Sequence, residues 1–129
     1  MDVGVAPRKS KDSHVIPTLL DSGANATFID KAITKQMGLT LEALDNPICM
    51  FNIDGSCNSA GDVTHTVNIS VNFLGHREEL CAEVTNLRKN SLILGYTWLK
   101  KHNPMIDWEK GMVKFHRCPH SCHMLQDHA

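Results

Sequence analysis

LLDSGANATFID, residues 19–30, sets an aspartate, a small hydroxyl residue and a glycine between apolar flanks. A solvated loop has no need of that frame. The frame predicts a tight turn over Asp21, Ser22, Gly23 and Ala24, with the carboxylate held near a core. Gly23 permits close backbone approach, and the Ser22 hydroxyl can brace a loop by hydrogen bonding. A carboxylate so placed serves as general acid or base when its surroundings tune it. The tripeptide also occurs in ordinary turns, so its meaning depends on the rest of the chain.

Upstream, HVIPTLLD (14–21) reads as a strand, and Pro17, which lacks a ladder donor, predicts an edge or a bulge. Downstream, DKAITKQMG (30–38) predicts a short helix with Asp30 as cap, Ile33 and Met37 on one face, and Gly38 as stop. ICMFNIDGSCNSAGD (48–62) is an apolar arm, a tip and a return, with Asp54-Gly55 as hairpin signal. VTHTVNISVNF (63–73) alternates at period two: Val63, Val67, Ile69, Val71 and Phe73 face one way and polar residues the other. LGHRE is a turn, ELCAEV (79–84) alternates again, and SLILG (91–95) reads as a buried strand. YTWLKKHN (96–103) predicts a short helix, with Lys100 and Lys101 at its negative dipole end and Pro104 beyond it. MIDWEKGMVKF (105–115) predicts a hairpin turning near Glu109, Lys110 and Gly111. Trp98 and Trp108 are expected in the core. His14, His65, His76 and His102 are expected on surfaces or in local hydrogen bonds. The sum is a mostly β domain with one or two short helices.

The 129 residues are the length of one domain, and 42% are hydrophobic, enough for a core. A formal net charge of −1 gives no global electrostatic case for nucleic acid or a membrane surface. No apolar run reaches membrane-span length, and the first residues carry no signal-peptide pattern. An intracellular, cytoplasmic setting is expected. Five cysteines, an odd number, make a poor disulfide framework and fit reduced thiols. The tail HRCPHSCHMLQDH (116–128) gathers Cys118, Cys122, His116, His120, His123 and His128. Those are sound zinc ligands, but no second cysteine pair completes a site, and a linker is the plainer reading. No metal or other cofactor is expected. The expected organisation is a flexible arm or peripheral strand over 1–13, a domain over 14–115, and a Cys/His-rich tail over 116–129.

The order of these pieces resembles the retropepsin family of aspartic proteases, and in particular the protease domains of gypsy-type LTR retrotransposon polyproteins of fungal type. LLDSGANATFID matches the active-site loop, MFNIDGS the flap, and LILGYTWLKKHNPMIDWEKGMVKF the C-terminal part. The resemblance implies a closed β domain that contributes one catalytic aspartate, Asp21, and works as a homodimer, because D-S-G occurs once in this chain. It implies that Ser22 braces the paired loops and that Asn25 holds substrate backbone. Ile53, Asp54 and Gly55 would form the flap, and Ile93 and Leu94 would line pockets for an extended peptide. Gly95 would let the I-L-G segment pack beneath the catalytic turn. The implied function is an aspartic endopeptidase acting on its own polyprotein, in the cytoplasm or within virus-like particles. The alternative is a catalytically silent retropepsin fold used for dimerisation or peptide binding. VKFHRC is a candidate interface strand.

Overall fold

The computed structural model describes residues 1–7, 13–48, 63–115, 117 and 123–124. Its strands are β1 (Asp2–Pro7), β2 (His14–Leu20), β3 (Phe28–Asp30), β4 (Glu42–Ile48), β5 (Val63–Phe73), β6 (His76–Thr85), β7 (Leu92–Leu94), β8 (Met105–Asp107), β9 (Met112–Lys114) and β10 (His123–Met124). Its helices are α1 (Lys31–Gln36) and α2 (Tyr96–His102).

The longest strands organise the rest. In β5 the side chains of Val63, Val67, Ile69, Val71 and Phe73 are all at most 2% exposed, as the alternation predicts. β5 pairs antiparallel with β6 through Thr66↔Glu83 to Phe73↔His76. Leu74 and Gly75 join them, both at positive φ (46° and 81°). Two left-handed residues match the twist of a two-residue hairpin. From β6 the pairings run β3, β7, β2, β1 and back to β5, so the sheet closes into a ring. β4 borders β5, and β10 borders β6 outside that ring.

The ring encloses one core, which includes Val3, Val5, Ile29, Ile69, Leu92 and Leu94. Each such burial contributes about 1.5–3 kcal/mol. At one end an aromatic group continues it. Phe73 packs edge-on to Trp98 (5.3 Å between centroids) and Phe115 (5.0 Å), and its ring lies parallel to that of His76.

Several expectations are corrected. Residues 2–7, expected as a flexible arm or a peripheral strand, form a strand inside the sheet between β2 and β5, with Val3 and Val5 fully buried. The alternation there spans too few residues to stand out. Pro17 lies inside the sheet: β1 pairs with His14–Pro17 and β7 with Thr18–Leu20. It sits where one ladder gives way to the other, so its missing donor is tolerated. Asp30 does not cap α1 with its side chain; its Oδ1 accepts the Leu87 N–H at 2.9 Å. β4 has a polar, exposed sequence and gave no strand signal. Trp108 is 84% exposed on the hairpin tip, while Trp98 is buried. His76 and His102, expected on surfaces or in local hydrogen bonds, are both buried. His102 nevertheless bonds locally, through Nδ1, to the carbonyl of Trp98 at 2.9 Å.

Candidate active site

Asp21 follows directly on β2. Its N–H donates to the Leu94 carbonyl at 3.1 Å, extending the parallel β2–β7 ladder by one residue. The chain then turns: the Ala24 N–H donates to the Asp21 carbonyl at 3.1 Å, and the Gly23 N–H to Asp21 Oδ1 at 2.9 Å. The second bond fixes the carboxylate rotamer and uses one of its oxygens. A Cβ at Gly23 would stand 3.1 Å from that same oxygen, a tight contact. Asp21 is half-buried, and Ser22, Gly23 and Asn25 are exposed. The loop thus presents a braced carboxylate beside an open face.

Beneath the loop lies the start of α2. The Tyr96 N–H donates to the Ala24 carbonyl at 2.6 Å. The Asn25 carbonyl accepts from the Thr97 N–H at 3.3 Å and from Thr97 Oγ1 at 2.6 Å. Gly95, extended at φ −89°, is buried against the loop. A Cβ there would collide with the Ala26 carbonyl oxygen and stand 2.6 Å from that of Ala24. Space, not dihedral freedom, requires glycine at this position. The loop and the LILG-YT segment are therefore one unit. Thr97 escaped the sequence reading; a hydroxyl two residues past the L-I-L-G run was the available signal.

The other sequence-predicted residues divide. Ile93 is half-buried in the strand that leads to Gly95. Leu94 is fully buried in the core, so its contribution to the loop is its carbonyl and not a pocket wall. Ile53, Asp54 and Gly55 lie outside the described residues, as do Cys118, Cys122, His116, His120 and His128 of the tail. Among the described residues no group of three or more His, Cys, Asp or Glu side chains could hold a metal. Likewise, no helix there is long and apolar enough to cross a membrane.

Two titratable groups near the ring closure are perturbed. Burial, and then the nearby charge of His102, lower the pKa of His76 from 6.5. Burial raises that of Glu83 from 4.5.

The fold matches the crystal structure of the retroviral protease-like domain of Ddi1 from Leishmania major. The TM-score is 0.59 over 98% of this chain and 96% of that one, at 17% sequence identity. At that identity the match speaks for the fold. The family model of the PEG10/RTL1 protease domain matches residues 17–122, from the middle of β2 to beyond β9. The chain accordingly belongs to the PEG10/RTL1 protease domain family, with a retropepsin-like fold.

Proposed function

We propose that this domain is an aspartic endopeptidase, derived from a retrotransposon polyprotein, that acts as a homodimer with Asp21 of each copy at the shared site. The observation that carries the reading is the Asp21 turn: one carboxylate, oriented by Gly23 and backed by Gly95. One carboxylate is half of the required chemistry. Two brought together share a proton, since like charges at close range do not both persist. The ionised member takes a proton from a water held between them while that water attacks the peptide carbonyl. The protonated member donates to the carbonyl oxygen. Collapse of the tetrahedral intermediate breaks the C–N bond and passes a proton to the leaving amine.

The second copy needs a surface. β8 and β9 form a two-stranded sheet of their own, a unit that is marginal alone in water. Around it Met105, Ile106, Trp108 and Met112 are exposed, and exposed aromatic and Met residues are enriched at interfaces. Asp107 and Glu109 precede Lys110 and Lys114, and an acidic half followed by a basic half complements itself across a two-fold axis. We assign this hairpin to the dimer contact. An extended substrate would add as a strand, with Asn25 and Ile93 near the carboxylates and the segment of Ile53, Asp54 and Gly55 closing over it.

The test is cleavage of a peptide library by wild type and Asp21→Asn, alongside sedimentation with and without a pepstatin-like inhibitor. Inhibitor-dependent dimers and loss of cleavage in the variant are expected. Equal cleavage by both proteins rejects Asp21 as catalyst. Peptide binding without cleavage by wild type under any condition moves the domain to the silent reading.

A further inference from the structure

The buried end of α2 holds polar groups that the Asp21 chemistry does not use. Glu78, on β6, and His102, on α2, are both buried. The Trp98 Nε1–H donates to Glu78 Oε1 at 3.0 Å. His102 Nε2 lies 3.2 Å from that same oxygen. Its partner on the other side of the ring is the Trp98 carbonyl, which can only accept, so Nδ1 carries a proton. The Nε2 contact is at ion-pair distance but is not aligned as a hydrogen bond. The His102 ring also stacks on Trp98, with centroids 3.9 Å apart.

The result is a single carboxylate oxygen of β6 that gathers two side chains from successive turns of α2. The same helix, at its other end, supplies the three donors that hold the Ala24 and Asn25 carbonyls. α2 has only seven residues, too few to be stable without tertiary support. Its position is therefore set by its two ends. We propose that Glu78, Trp98 and His102 are positioning residues, which clamp α2 to β6 so that its first turn seats the Asp21 loop at its working height. This rests on the endopeptidase reading for its functional consequence, but not for its structural one. Misplacing a reacting group by about 1 Å costs roughly a hundredfold in rate, so a clamp remote from the carboxylate acts on turnover without touching substrate.

The test combines amide hydrogen exchange of the ligand-free protein with peptide-cleavage kinetics. Glu78→Ala is the direct variant. Glu78→Gln is the one expected to stay folded, since its amide oxygen still accepts from Trp98 while the charge facing His102 is gone. In Glu78→Gln, exchange at the Tyr96 and Thr97 amides is expected to quicken about tenfold or more relative to amides in the middle of β5. kcat is expected to fall about tenfold or more, with KM within about twofold. Exchange that is unchanged at Tyr96 and Thr97, or that quickens equally throughout β5, overturns the proposal in favour of plain core packing. A wild-type protein that cleaves nothing sinks the endopeptidase reading and leaves the exchange result to judge the clamp alone.

Discussion

Gly95→Ala tests the union of loop and helix most directly. The added Cβ would overlap the Ala26 carbonyl oxygen and stand 2.6 Å from that of Ala24, and both obstacles are backbone. Neither is a flexible side-chain tip that can swing away. Relief requires residues 24–26 to retreat from α2. That retreat stretches the Tyr96 bond to Ala24 and both Thr97 bonds to Asn25. At about 1 kcal/mol for each net hydrogen bond, the three bonds amount to about 3 kcal/mol, and residual overpacking adds about 1 kcal/mol or more. For a domain of this length, a loss of about 4 kcal/mol lowers the melting temperature by roughly 15 °C. Differential scanning calorimetry of wild type and Gly95→Ala reads this directly, and cleavage kinetics should show a larger loss than stability implies, because the Asp21 turn moves with the loop. A variant that melts within about 2 °C of wild type and keeps its activity refutes the claim that Gly95 is a spatial requirement.

Other outcomes follow from the same structure. Asp21→Asn should reduce cleavage by roughly four orders of magnitude, the scale of losing a catalytic group, while leaving the circular dichroism spectrum unchanged. Trp108→Asp should weaken self-association by about thirtyfold or more, as a lost interface anchor does, and should shift monomer stability by no more than about 0.5 kcal/mol because the side chain is exposed; unchanged sedimentation would remove the hairpin from the interface. The unfolded chain protonates His76 near 6.5 and the folded one only at lower pH. Its stabilising contribution is therefore full above pH 6.5 and is lost as pH falls through the lowered folded value. The urea midpoint should decline across that window, and His76→Gln should flatten the decline. Glu83 acts with the opposite sign: its raised folded value gives a contribution present below pH 4.5 and lost as pH rises through the folded pKa, so Glu83→Gln should remove a downward slope there.

The ring was legible wherever burial imposed a period. β5 and the Leu92–Leu94 run showed their inward faces because one wrong residue there would bury a polar group. The turn at Asp21 was legible because its chemistry is local: an aspartate, a glycine two residues later, and apolar strands on each side. β1 was left open between an arm and a peripheral strand because three buried side chains in six residues look like chance. Pro17 misled because a proline reports only on its own missing N–H, and not on which of two ladders runs past it. Trp108 misled because hydrophobicity alone does not separate a core residue from an exposed one. The Glu78–Trp98–His102 arrangement was invisible for a different reason. It joins residues 20 and 4 positions apart across β6 and α2, and nothing in a linear pattern marks a buried glutamate as the meeting point of two rings.

The closure of the sheet has a consequence for how the molecule can be approached. Strands that bond to neighbours on both sides leave no free ladder for an incoming chain. Among the described residues, lateral growth is left to the outlying β4 and β10 and to the detached β8–β9 pair. A sister subunit docked on the β8–β9 fringe would then leave every ladder of the closed ring as it is.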